Sequence, residues 1–179
     1  LIKENRGIDI DICDVNLTKN EATANQLLAI GKTIGCFYIE SPAMRGLLRR
    51  SRCNDYLTLV AASSVIRPGV AQSGMMKEYI FRHNHPNQFE YFHPIFEEHL
   101  HETYGVMVYQ EDVIKIAHHF AGIDLAKADI LRRAMSGKTR SKKELDAIKQ
   151  TYFDNCKKKG YPEELSREVY RQIESFAGY

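Results

Sequence analysis

Apolar residues recur at three- and four-residue intervals along much of the chain, and this spacing predicts helices. The pattern is strongest in the second half. Gln110 to Ala121 places Val113, Ile116, Ala117 and Phe120 on one stripe and stops at Gly122. Asp124 then suits the N-cap of a helix through Met135, ended at Gly137. Glu144 to about Lys158 puts Leu145, Ile148, Tyr152 and Cys156 on one face, and Pro162 opens a last helix with Leu165, Val169, Ile173 and Phe176 inward. Earlier signals are shorter. Thr18 or Asn20 caps a helix to about Ile30, with Glu21 completing a capping box and Gly31 ending it. Pro42 starts another helix. Asp55 caps Tyr56 to Ser64, with Leu57, Val60 and Ala61 buried, and Pro68 breaks it. Ser73 to Arg82 and Ile95 to His101 read as helices, with a polar, aromatic loop from His83 to Pro94 between them. The alternation of Ile8 to Ile12 and the β-prone run from Thr33 to Ile39 predict short strands, and Tyr104 to Val108 a turn and a short extended piece. The fold class expected is mainly α, an irregular multi-helix domain with a few short strands.

Composition supports a folded domain. Of 179 residues, 44% are hydrophobic and 27% charged, enough for a core and too apolar for disorder. No apolar run approaches the roughly 20 residues of a membrane helix. The first residues lack the order of a signal peptide, and the missing initiator Met reads as processing or a fragment. Cys13, Cys36, Cys53 and Cys156 form no C-x-x-C pair, which favours free thiols in a reducing cytoplasm. Net charge is only +2, but its distribution is uneven. Leu1 to Ala126 holds 12 Lys and Arg against 15 Asp and Glu, whereas Leu131 to Lys143 holds six basic residues and no acid. These are Arg132, Arg133, Lys138, Arg140, Lys142 and Lys143, an anion-binding composition.

Arg132 and Arg133 carry the sharpest chemistry. Adjacent helical residues point about 100° apart, so the two guanidiniums can flank one concavity. The planar fork of arginine donates two hydrogen bonds to phosphate, and Gly137 beside Lys138 lets backbone amides approach an anion. The alternative is a solvated helix end whose cations complement the dipole. Other patterns fail. Asp9-x-Asp11 resembles a two-metal carboxylate pair, but no clear third carboxylate strand accompanies it, and a solvated strand or turn is favoured. The seven histidines lack ligand spacing, so no metal site is expected. There is no G-x-S-x-G and no complete P-loop.

Five strings together are more specific. They are Gly35-Cys36-Phe37-Tyr38-Ile39-Glu40-Ser41; Ser64 to Met75, which contains Arg67-Pro68-Gly69 and Gln72-Ser73-Gly74; Thr103 to Glu111; Ala128-Asp129-Ile130-Leu131-Arg132-Arg133-Ala134-Met135; and Ser175-Phe176-Ala177-Gly178-Tyr179. In this order the chain resembles the fingers domain of the bacterial DNA polymerase III alpha subunits, the C-family replicative polymerases. The resemblance runs from about Leu17 to the last residue. It implies a lead-in over residues 1–16 and a partial fingers domain over residues 17–179 that continues beyond Tyr179.

The resemblance also implies roles. Arg132 and Arg133 match the arginine pair that contacts the triphosphate of the incoming dNTP. Gly137, Lys138 and Arg67 match neighbours of that nucleotide. Gln72, Ser73, Gly74, Gln110 and Glu111, with Arg140, Lys142 and Lys143, are candidates for lining the pocket or touching DNA. No catalytic residue is expected in this chain. The family's aspartates and the Mg2+ they hold belong to the palm, as do the two-metal steps of nucleotidyl transfer. The implied partners are template-primer DNA, dNTP, the remaining polymerase domains and, through other regions, the sliding clamp and replisome subunits, in the cytoplasm and with no membrane. The chain alone is then expected to be inactive. Tyr38 stands where many members have Gln. The Ser64 to Ser73 wording is also similar to error-prone relatives, so that subfamily is an alternative. A stand-alone basic, helical nucleic-acid-binding module is the reading from a different class.

Overall fold

The computed structural model describes residues 1–11, 13–135 and 142–177, with the backbone alone described at Pro68, Met135 and Ala177. The chain divides into two compact units, Leu1–Ala62 and Ser63–Tyr179. The expectation of a mainly α fold holds. The expected strands do not: the described residues contain none.

The first unit holds α1 (Ile2–Arg6), α2 (Val15–Lys19), α3 (Ala22–Ala29) and α4 (Pro42–Arg50), and α5 (Tyr56–Val65) continues from it into the second. The helix expected from Thr18 or Asn20 is two pieces. Asp14 caps α2 by accepting the Leu17 amide at 2.9 Å. Glu21 is itself the cap of α3, accepting the amides of Thr23 and Ala24, so the expected capping box does not form. Asp11 accepts the Cys13 amide in a turn, and Ile12 lies outside the described residues. Thr33 to Ile39 is also a chain of turns. Gly35 (φ 87°) and Tyr38 (φ 68°) are left-handed, which breaks a pleat, and the Thr33 hydroxyl closes the segment on the Ile39 carbonyl. A short apolar run without a partner strand has nothing to pair with.

Ser41 caps α4 through the Met44 amide, as Pro42 at the first helical position invites. Met44, Leu47 and Leu48 form its buried face. Its end is a Schellman motif, in which Cys53 N–H reaches Leu48 O and Arg52 N–H reaches Arg49 O. Arg52 occupies the left-handed position at φ 48°, where glycine is the low-cost residue. Asp55 caps α5 through Thr58, as expected. Its buried residues are Thr58, Ala61, Ala62 and Val65, while Leu57 is 70% exposed, contrary to expectation. Phasing from Leu57 placed the buried stripe about one position away from the observed one.

The second unit begins with α6 (Pro68–Gln72), a single turn the sequence reading missed, and α7 (Met75–Asn84), which starts after left-handed Gly74. Then come α8 (Pro94–Leu100), α9 (Gln110–His119), α10 (Leu125–Met135), α11 (Lys142–Lys158) and α12 (Glu163–Glu174), with 3₁₀ turns at His101–Thr103 and Ser175–Ala177. Phe120, fully buried just after α9, packs against Phe96 of α8, Tyr152 of α11 and Tyr161 beyond it. The ring of His93, whose Nδ1 accepts the Ile95 amide at the start of α8, meets Phe120 edge-on. Arg82, nearly fully buried, joins α7 to the Tyr104–Gly105 turn through Glu78 and the Tyr104 carbonyl, beneath Phe89. Gly105 has no alternative there, because a Cβ would stand 2.7 Å from the Tyr91 ring.

Asp112 fixes the start of α9. It is 2% exposed, and its Oδ2 accepts the amides of Val108 (2.9 Å) and Tyr109 (2.8 Å). Burial pushes its carboxyl above the usual aspartate range, with the two amides acting against the shift. Asp112→Ala leaves both donors without this acceptor and is expected to destabilise the chain by about 2–3 kcal/mol, with Asp112→Asn intermediate. Urea denaturation midpoints measure both; equal stability of Ala and wild type would refute the role.

Candidate nucleotide-contact site

Two helices build the site. Asp124 Oδ1 accepts the amides of Ala126 and Lys127 and so begins α10. Gly122 at φ 65° and the bond from Ile123 N–H to Ala117 O turn the chain between α9 and α10. The pair packs along its length, with Ile116, Ala117, Ala128 and Leu131 buried. This hairpin brings the first residue of α9 to the last turns of α10. Arg132 Nη1 donates to Gln110 Oε1 at 3.3 Å, across 22 residues of sequence.

Asp129 organises the arginines. Arg132 donates from Nε (3.0 Å) and Nη2 (2.8 Å) to its Oδ1, and Arg133 Nε lies 2.9 Å from its Oδ2. One carboxylate therefore holds both guanidiniums. The hydrogen bond from Arg132, helped by the charge of Arg133, holds the Asp129 carboxyl below the usual aspartate range. The Arg133 side chain is half-exposed and that of Arg132 about one-quarter exposed, so the cluster sits at the surface with solvent access. Asp129 lies within one of the quoted strings, but the sequence reading gave it no role. Its spacing, three before Arg132 and four before Arg133, was the available signal.

The other candidates are distributed around this pair. Glu111 is exposed on the first turn of α9. Lys142 and Lys143 are exposed in the first turn of α11, where cations oppose the helix dipole rather than complement it. Arg67 is the N-cap residue of α6, and both α6 and α10 pack on the 3₁₀ turn Ser175–Ala177. Ser73 and Gly74 face α12: Arg171 Nη1 donates to the Ser73 carbonyl, and both residues line a cavity of about 220 Å³ with Glu78, Arg82 and Gln172. Gln72 is exposed beside them. Gly137, Lys138 and Arg140 lie outside the described residues.

The chemistry of a metal centre finds no donors here. Among the described residues no three His, Cys, Asp or Glu side chains gather as an ion would require. Asp9 binds Lys3, and Asp11 caps its turn. His99 and His119 stack with ring centroids 3.8 Å apart, and His118 Nδ1 lies 2.7 Å from the Ile123 carbonyl oxygen. Mg2+ therefore has no fitting site among the described residues. No helix among the described residues is long and apolar enough to cross a membrane.

The electrostatics of the cluster have a measurable signature. Asp129 is a carboxylate with a depressed pKa, so what it contributes is present above the ordinary aspartate value and is lost as pH falls through the depressed one. The Nε–H resonances of Arg132 and Arg133 are expected to stay protected from exchange on acidification past the ordinary aspartate range and then collapse together. In Asp129→Asn the protection should be weak already at neutral pH. Unchanged protection in that variant would rule out the shared-carboxylate arrangement.

Comparison with known sequences agrees with the strings that surround this cluster. The family model for the bacterial DNA polymerase III alpha subunit finger domain matches residues 1–160, a span that includes the first sixteen residues and α9 and α10. The DNA polymerase III subunit alpha of Staphylococcus epidermidis is 38% identical over 178 residues, and that of Staphylococcus aureus 36%. Each alignment covers 99% of this chain and 16% of the relative, so the chain spans about one-sixth of the length of these relatives. With the family model and the relatives in agreement over nearly the whole chain, it belongs to the finger-domain family of bacterial DNA polymerase III alpha subunits.

Proposed function

We propose that this chain is the part of a bacterial replicative DNA polymerase that grips the triphosphate of the incoming dNTP, with Arg132 and Arg133 as the grip. One observation carries the reading: two adjacent guanidiniums converge on a single anionic group, the Asp129 carboxylate, at the surface. Asp129 restricts the rotamers of both arginines before substrate arrives, which lowers the ordering cost of binding. Exposed ion pairs are weak, so a triphosphate with several oxygens can displace this one. Gln110 holds the far side of Arg132 against α9. The cations Lys142 and Lys143 add positive charge that helix stability does not explain.

In the whole polymerase the primer 3′-hydroxyl attacks the α-phosphorus of the dNTP, the bond to the bridging oxygen breaks, and pyrophosphate leaves. Arg132 and Arg133 would orient the triphosphate in line and offset the charge that grows on the leaving pyrophosphate. Arg67 and the Gly137–Lys143 segment would support the same anion. The catalytic carboxylates, template-primer contacts, clamp and replisome partners and cytoplasmic setting of such an enzyme belong to this proposal as well.

Arg132→Ala in the full-length polymerase is expected to lower kcat/KM for dNTP by roughly 10²–10³, as loss of one preorganised donor does elsewhere, and to leave the melting temperature nearly unchanged. Single-nucleotide incorporation at subsaturating dNTP reads this out, and wild-type kinetics would overturn the assignment. An Arg132→Ala enzyme that loses DNA affinity while keeping its dNTP kinetics would favour the stand-alone nucleic-acid-binding reading. The 179-residue chain by itself is expected to extend no primer; extension by a pure sample, abolished by Arg132→Ala, would refute that.

A further inference from the structure

The second unit follows a rule that the first unit breaks. Each arginine within its described helices has a carboxylate three or four residues earlier: Arg82 with Glu78, Arg132 and Arg133 with Asp129, Arg167 with Glu163, Arg171 with Glu168. The segment Ser41 to Arg52 holds four arginines, Arg45, Arg49, Arg50 and Arg52, and no acidic residue. Among the described residues Arg45, Arg49 and Arg52 form no ion pair. Arg45 and Arg49, four residues apart, share one side of α4, away from the face of Met44, Leu47 and Leu48, and Arg52 follows just past the helix end. Arg45 Nε donates to the Gly31 carbonyl, which fixes the base of the stripe. Arg52 takes a left-handed backbone in a position that favours glycine.

An aromatic tip precedes this stripe directly. Left-handed Gly35 and Tyr38 bring Cys36 and Phe37 to the outside of a turn, and the side chain of Glu40 accepts the Gly35 amide. Phe37 is 95% exposed, and Tyr38 and Ile34 beside it are exposed too. The turn runs straight into Ser41, the cap of α4, so the tip and the arginines are parts of one continuous segment. Phe37 is not held out by packing of its own, and water is a poor environment for its ring.

We propose that this segment binds single-stranded DNA, with Arg45, Arg49 and Arg52 on its phosphates and Phe37 stacked on a base. Guanidiniums without a carboxylate partner provide the charge complement of a phosphate backbone, and an exposed ring in the turn that precedes them provides the stacking platform that a single strand requires. A duplex keeps its base faces covered and cannot use Phe37. The contact goes beyond the triphosphate grip: it lies in the other unit and needs neither Arg132 nor Asp129.

Full-length polymerase and fluorescence anisotropy test it, with a primer-template carrying a single-stranded 5′ overhang and with a blunt duplex, each over a series of salt concentrations. Arg49→Gln with Arg52→Gln keeps the aliphatic stems and removes two charges. It should reduce the slope of log K against log salt by about 1.4 on the overhang substrate, at about 0.7 per phosphate lost from a single strand. Arg49→Lys with Arg52→Lys should retain the slope. Phe37→Ala should weaken overhang binding about fivefold or more and leave the blunt duplex within about twofold. Melting temperatures monitor folding, and KM for dNTP at saturating DNA should stay within about twofold of wild type. Unchanged slope and affinity in folded variants would overturn the proposal. Equal losses on overhang and duplex, or normal DNA binding with loss of a protein contact, would overturn it as well. Arg132→Ala run in parallel keeps the two readings apart, since it alters dNTP kinetics without changing the salt slope on the overhang.

Discussion

Burial of Phe120 is the constraint on which the second unit depends. The ring ends α9 and is enclosed by Phe96, Tyr152, Tyr161 and His93, so one side chain holds elements from three separate stretches of sequence. Removing a ring of this kind leaves a cavity worth about 3–5 kcal/mol, a large part of the 5–15 kcal/mol that stabilises a typical domain. The consequence for the site is geometric. Phe120 anchors one end of α9, Asp112 fixes the other, and the buried seam with α10 sets the register between them. Gln110 then meets Arg132 in the register that covers Ile116, Ala117, Ala128 and Leu131.

Upon that frame the charges are arranged at small energetic cost. Asp129 and its two arginines lie at the surface, where an ion pair adds little to stability and is readily exchanged for another anion. That weakness is what the proposed grip needs. A deeply buried pair would resist displacement by substrate, and unpaired arginines would spend part of the binding energy on becoming ordered. Arg82 shows the opposite use of the same chemistry: buried, bonded to Glu78 and the Tyr104 carbonyl and covered by Phe89, it is part of the core.

The helices of the second half could be read from sequence because their apolar stripes are long and their caps explicit. Asp124, Gly122 and the Ile148–Tyr152–Cys156 spacing each predict what is observed. The early helices were less legible, since Asp14 and Glu21 both compete to cap and the apolar stripes are short. The β-prone run from Thr33 to Ile39 misled because strand propensity describes a side chain's fit to a sheet, and here no neighbouring strand exists for it. Within the site, Arg132 and Arg133 were visible as charge, whereas Asp129 and Gln110 acquire meaning only when the hairpin folds. The α4 arginines were hidden by arithmetic: summed with the acids of residues 1–126, a local run of positive charge became a net negative segment.

The two arginine groups therefore differ in a way that composition cannot express. Those of α10 are held by a neighbour's carboxylate, which suits the proposed triphosphate, a small anion that must be exchanged repeatedly. Arg49 and Arg52 are exposed, with an exposed ring earlier in the same segment, which suits the proposed single strand, a long polyanion that exchanges many weak contacts as it moves. Strong, preorganised contacts discriminate among small ligands, while unpaired, salt-sensitive ones permit sliding along a strand. Under the two proposals the chain separates these behaviours by unit: Arg132 and Arg133, held by Asp129, in residues 63–179, and Arg45, Arg49 and Arg52, without an ion pair among the described residues, in residues 1–62.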